Sequence, residues 1–310
     1  MGLSARLSSL PLRRVALAGV VAQVGIVVTG AAVRLTGSGL GCPTWPRCSN
    51  DAFIPNGVRN DHPALQQGIE FGNRLLTFAV LATAALCVLA ARRTGRRDLL
   101  WLAWAQPLGV VGQILLGGVT VLTDLHPAAV AAHFLLSMAV IAAAVLLYER
   151  SIESPAGESS ARELTWIARA LLPATGLLLL IGTVVTGAGP HAGDSKSPRF
   201  GINIEHITQL HADVAFLVLA LASALAVGAR LGSASTALCR RSAELLVVVL
   251  AQGAIGYVQY FTGVPALLVG FHVLGACLVW VAAIRAATAG AAADSDRQIA
   301  GVPTGGPRRA

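Results

Sequence analysis

Eight long apolar stretches, separated by short polar connections, run along the chain. Each is close to or beyond the ~20 residues that a helix needs to cross a hydrocarbon core. The pattern predicts transmembrane helices over Val15–Thr36, Leu65–Ala91, Leu99–Leu122, Pro127–Tyr148, Leu164–Ala188, Ile204–Ala229, Ala243–Thr262 and Pro265–Ile284. The first is long for a signal peptide and lacks a convincing small-residue cleavage site, so it is read as a span. The expected fold class is an all-α polytopic membrane protein.

The stretches repeat as a set of four. Gln113-Ile114-Leu115-Leu116-Gly117 leads after twenty residues to His133, and Gln252-Gly253-Ala254-Ile255-Gly256 leads after the same interval to His272. Val27-Val28-Thr29-Gly30 returns as Val184-Val185-Thr186-Gly187, and Ile69 to Asn73 aligns with Ile207 to His211. Two four-helix halves of equal topology follow, expected to be related by a pseudo-twofold axis along the membrane normal. They occupy residues 1–150 and 164–290, joined by a cytoplasmic linker at 151–163 that carries Glu and Ser. Residues 291–310, with Gly, Pro and charges, are expected to form a disordered cytoplasmic tail.

Composition fits a membrane class: 55% of the 310 residues are hydrophobic, 12% are charged, and the mean hydropathy is +0.69. The net charge of +8 is explained by topology. Of the 23 Lys and Arg residues, seventeen fall on one side of the predicted spans. The remaining six (Arg34, Arg47, Arg59, Arg74, Lys196 and Arg199) fall on the other. The positive-inside rule then places both termini in the cytoplasm. Contact with anionic lipid accounts for the surplus without a nucleic-acid partner.

Cys42 and Cys48 lie in the outer connection between spans one and two, where an oxidising compartment permits a disulfide. Two prolines and Trp45 stiffen the short segment between them; two free thiols are the alternative. Cys87, Cys239 and Cys277 sit in the membrane or at its inner side and read as small apolar fillers.

Against this background the polar residues inside the spans carry the chemistry. His133, His211 and His272 each lie six or seven residues in from the same end of a span, and Asn73 holds nearly the matching place in the fourth. At ~1.5 Å per residue all four are ~10 Å deep. An intramembrane imidazole is costly and points to function. Two imidazoles on facing helices of a bundle can supply both axial ligands of a heme iron, and His211 with His272 have that relation. The competing reading is a pair of structural histidines. Zinc is disfavoured, because further ligands of the usual types are missing at that depth.

The first half has His133 but Asn73 opposite, and an amide is a poor iron ligand. A heme there is expected to be held from one side, which suits a substrate site. Glu70 shares a helix face with Asn73. A carboxylate at that depth bears a large desolvation cost and is a candidate proton carrier or ligand; pairing with Arg74 alone is the alternative. Arg34 and Arg74, at outer span ends, could grip carboxylates bidentately. His62, His126, His191 and His206 belong to outer loops or outermost turns, with at most one or two touching a cofactor. The glycines of Gly117-Gly118 and Gly253 to Gly256 read as close helix packing in lipid.

These residues carry a resemblance. The string from Arg34 to Cys48 (RLTGSGLGCPTWPRC), the segment Glu70-x-x-Asn73-Arg74 and the three membrane histidines resemble the bacterial heme A synthase family over nearly the whole chain. The resemblance implies a multi-pass plasma-membrane oxidoreductase that converts the C8 methyl of heme O to the formyl of heme A, for terminal cytochrome oxidases. It implies heme b on His211 and His272, and heme O as substrate near His133 and Glu70. Heme O synthase and oxidase assembly factors are the implied partners, with a homo-oligomer an open possibility. The chain departs from the family pattern Glu-x-x-His-Arg by placing Asn73 at the histidine. A quinone-linked diheme cytochrome would need ligands for two six-coordinate hemes, which Asn73 opposes. A transporter would be expected to show paired broken helices, and a prenyltransferase clustered aspartates; neither is evident.

Overall fold

A computed structural model describes residues 11–49, 52–55, 63–152, 162–232 and 234–300, with side chains as far as 290. Among the described residues the regular structure is helical: α1 (Leu12–Leu35), α2 (Ala64–Arg92), α3 (Arg97–Leu122), α4 (Pro127–Arg150), α5 (Arg162–Ala188), α6 (Ile204–Leu231), α7 (Thr236–Phe261) and α8 (Ala266–Ala300). All eight contain a stretch long and apolar enough to cross a membrane. Large apolar side chains such as Trp101, Phe78 and Leu267 are about 70% exposed or more, as lipid-facing positions are where the solvent is hydrocarbon.

The helix starts agree with the hydrophobic pattern to within a turn, except one. Helix α7 begins at Thr236 rather than Ala243. Arg240 and Arg241 interrupt the apolar run, yet the helix is nucleated earlier by Ser235, whose Oγ accepts from Leu238 N at 3.2 Å, a normal N-cap. The backbone of α8 runs as far as Ala300, and alanine, frequent in that stretch, has the highest helix propensity of any residue. Residues 301–310, most of the linker and His62 lie outside the described residues.

Each half closes into its own ring of neighbours. Helix α1 packs on α2, α2 on α3, α3 on α4 and α4 on α1; α5, α6, α7 and α8 repeat the same circuit. The α3–α4 and α7–α8 connections are built on one turn. Leu125 and Val264 both sit at φ 59°, and their N–H groups reach back to Thr120 O (2.8 Å) and Gln259 O (2.7 Å). The internal repeat is thus visible in the backbone.

The halves meet along α1, α4, α5 and α8. Val20, Val27, Met138, Ile141, Leu179, Cys277 and Ile284 form a buried apolar seam there, and Trp280 Nε1 donates across it to Met138 O at 2.8 Å. At the Arg-rich end Glu149 of α4 is buried and paired with Arg241 of α7 and with Arg285 of α8, the latter at 2.9 Å. Arg285 also reaches Glu244 at 2.8 Å. One buried carboxylate therefore ties the first half to two helices of the second.

Candidate functional site

Helices α6 and α8 bring His211 and His272 together, with ring centroids 6.3 Å apart and planes at 61°. Each ring rests on a glycine of the neighbouring helix. A Cβ on Gly182 of α5 would lie 3.1 Å from His211 Cε1, and one on Gly256 of α7 would lie 3.2 Å from His272 Cε1. The Nδ1 of each ring is buried and makes no hydrogen bond to a protein group among the described residues. The backbone beneath is braced as well: Gln252 Nε2 donates to His272 O at 2.9 Å.

The first half repeats this construction around one histidine. His133 of α4 faces Gly117 of α3, where a Cβ would come within 3.4 Å of its Cε1. Gln113 Nε2 donates to His133 O at 3.1 Å and to Ser137 Oγ at 2.7 Å. The glycines read as lipid-phase packing positions thus include the surfaces on which two imidazoles sit. Gly118 serves another side chain: a Cβ there would meet the Trp45 ring at 2.7 Å. At the place matching His211, Asn73 is committed locally, since Thr29 Oγ1 donates to Asn73 Oδ1 at 2.7 Å.

Glu70 and Arg74 are built into the outer loop. Cys42 and Cys48 are bridged, and the loop they close rests on α2. Glu70, 6% exposed, accepts from Cys42 N at 2.6 Å on Oε2. Its Oε1 takes Arg74 Nη2 at 2.5 Å. Arg74 also donates to the carbonyls of Cys42 (3.0 Å), Thr44 (3.3 Å) and Arg47 (3.2 Å). The pairing considered as an alternative for Glu70 is present, and it is one part of a larger clamp.

Arg34 serves the second half. Its guanidinium donates to His191 O and, at 2.9 Å, to Thr186 O, so it bridges from the end of α1 to the α5–α6 loop. Sequence reasoning missed this reach, which spans 152 to 157 positions and has no local signature. Of the outer histidines, His191 Nε2 pairs with Val264 O at 2.8 Å. The ring of His126 caps α4 by accepting from Ala128 N, and His206 is exposed.

Among the described residues no cluster of three or more His, Cys, Asp or Glu forms that could hold a bare metal ion. Two imidazoles with no further protein donor suit a metal whose remaining ligands come from a macrocycle. Two imidazole–metal bonds of about 2 Å, plus a ring radius of roughly 1 Å on each side, would put centroids about 6 Å apart. The separation at His211 and His272 meets that requirement.

A family model described as cytochrome oxidase assembly protein matches residues 13–284. Similar curated proteins include the heme A synthase of Geobacillus kaustophilus, 30% identical over 145 residues, which are 44% of this chain and 44% of that protein. That of Alkalihalophilus pseudofirmus is 30% identical over 141 residues, 44% and 46% of the two chains. That of Bacillus mycoides is 32% identical over 125 residues, 39% and 38%. The matched segments thus span less than half the length of these relatives.

Proposed function

The chain belongs to the cytochrome oxidase assembly protein family, and from that premise we propose that it is a heme A synthase of the bacterial plasma membrane. It would oxidise the C8 methyl of heme O to the formyl group of heme A. The observation that carries this reading is the unequal filling of four matched positions: His211 and His272 face each other in one half, while His133 is matched with an amide in the other.

In the second half His211 and His272 would hold a resident heme b from both sides. Held by two imidazoles, such a group would supply electron transfer when bound. Gly182 and Gly256 fix where the rings lie, and Gln252 fixes the backbone that carries one of them. In the first half His133 would hold heme O, with Asn73 turned toward Thr29 and offering no imidazole. Glu70 would be the proton acceptor for the reacting methyl. The bonds from Arg74 and Cys42 N–H fix the orientation of that carboxylate. Arg74 and Arg34 act by holding the two outer loops in place, so they position the site. The protein would stand between heme O synthase, which supplies its substrate, and the assembly of cytochrome oxidase.

The test is to supply heme O to the purified protein in native membrane lipid and identify the pigment extracted afterwards. Heme A or a hydroxylated heme intermediate is the expected product. Recovery of heme b and unaltered heme O would overturn the synthase reading in favour of an electron-transfer cytochrome.

A further inference from the structure

Beneath Asn73, toward the Arg-rich end, the first half contains a polar group of side chains that the heme sites do not use. Gln23 of α1 is 5% exposed, and Gln106 of α3 and Cys87 of α2 are 0% exposed. Gln23 Nε2 and Gln106 Oε1 have no protein hydrogen-bond partner among the described residues. The Gln106 amide lies against the Cys87 thiol, whose Sγ donates to Val15 O at 3.5 Å and can accept an amide N–H, which leaves Gln106 Oε1 unanswered. Buried amides are hydrogen-bonded in the great majority of proteins, by protein or by ordered water, so each exception requires an explanation.

Gly19 allows both groups to approach α1 closely. A Cβ there would come within 3.0 Å of Gln106 Oε1 and 3.2 Å of Cys87 Sγ, so the amide and thiol converge on a notch in α1. Gln23 lies one turn further along the same face as Gly19. The second half gives the contrast. The repeat that aligns Gln113 with Gln252 puts Leu245 at the place of Gln106, and the alignment of Asn73 with His211 puts Leu225 at that of Cys87. Both leucines are 0% exposed. The same position is buried and apolar in one half and buried and polar in the other.

We propose that Gln23, Gln106 and Cys87, around the notch at Gly19, form an internal water-binding site in the first half. Water is the ligand that fits: it both donates and accepts, typically makes about three hydrogen bonds in buried sites, and satisfies an amide oxygen and amide nitrogens at once. At ~1.5 Å per residue, Cys87, Gln106 and Gln23 lie roughly 8, 14 and 17 Å from the Arg-rich ends of their helices. The three form a polar column reaching toward the Thr29–Asn73 pair, which gives this half a place for proton exchange that the other half lacks. The site stands whether or not the synthase reading holds.

The Cys87 thiol reports on it. Its S–H infrared band is assigned from the difference between the wild-type protein and Cys87→Ala, and its exchange to S–D is followed after transfer to D2O. Water held at the amides makes exchange rapid in the wild type, and Gln23→Leu/Gln106→Leu should slow it by at least about tenfold, since exchange then waits for local opening. Gln106→Leu alone, the residue already accommodated at the matching place, should slow it in the same direction. The half-buried Cys239 is the internal reference and should exchange equally in all variants. An S–H band that fails to exchange in the wild type, or that exchanges at the same rate in the leucine variants, overturns the proposal.

Discussion

The two halves share a circuit of helices, a turn and a depth for their polar ligands, and they diverge in what stands at those places. The second half faces His211 with His272, lines its bundle with Leu225 and Leu245, and has its outer loop held by Arg34 from the first half. The first half sets Asn73 against Thr29, buries Gln23, Gln106 and Cys87, and has its own outer loop closed by a disulfide and clamped by Glu70 and Arg74. Two imidazoles with an apolar lining favour a fixed, closed coordination sphere. One imidazole with polar neighbours leaves room for a reaction. The shared packing circuit supplies the frame, and the departures from it mark where the chemistry differs.

The largest effect should come from removing the symmetric pair. On the proposed heme b site, His211→Ala or His272→Ala would remove one of the two imidazoles that hold the group, and the low-spin absorption expected of the purified protein should disappear in either variant. Retention of that spectrum in both would place the resident heme elsewhere.

Next comes the first half's own carboxylate. Glu70→Ala should leave heme binding largely intact and lower heme O oxidation by roughly 10²-fold or more, the usual range for loss of a positioned acid or base. It also frees the Cys42 N–H and one partner of Arg74, so the loop should become more susceptible to proteolysis. Wild-type turnover by this variant would leave Glu70 with the loop role alone.

Much of this contrast was legible in the sequence. The twenty-residue interval from Gln113 to His133 and from Gln252 to His272 encodes a hairpin length, and the structure keeps it, down to the glutamine that bonds each histidine's carbonyl. The cysteine pair was legible because its spacing and side of the membrane are local properties. Arg34 bonding the opposite half was not, because that contact depends on how the rings dock. The glycines were half legible: Gly117 and Gly256 each stand sixteen residues before their histidine, a match that only the repeat register makes meaningful. The buried amides were passed over because a single Gln in an apolar run carries no periodic signal.

Asn73→His sharpens the comparison by making the first half resemble the second. With imidazole opposite His133, a heme bound there should pass from a high-spin or ligand-accessible form to a six-coordinate low-spin one, and an added external ligand should no longer bind readily. The substitution also removes one acceptor of Thr29 Oγ1, whose single proton can turn to Ile26 O instead, so little stability should be lost. A first-half heme that is already low-spin in the wild type would mean that a different residue, such as His126 or one outside the described set, supplies the missing ligand.

The smallest effect concerns the outer loops. Cys42 and Cys48 are six positions apart, and closing so short a loop contributes only about 2 kcal/mol through the unfolded chain. Cys42→Ser/Cys48→Ser should therefore lower the unfolding temperature modestly, because the carbonyls of residues 42, 44 and 47 still face Arg74. The second half provides the control, since its loop has no cysteine and depends on Arg34; Arg34→Ala should loosen residues 186–193 without changing thiol reactivity. In the wild-type protein a thiol reagent should modify Cys42 and Cys48 only after reduction. Ready labelling without reductant would show the loop to be held by Arg74 and Glu70 alone, and the two halves would then fasten their outer loops by the same means.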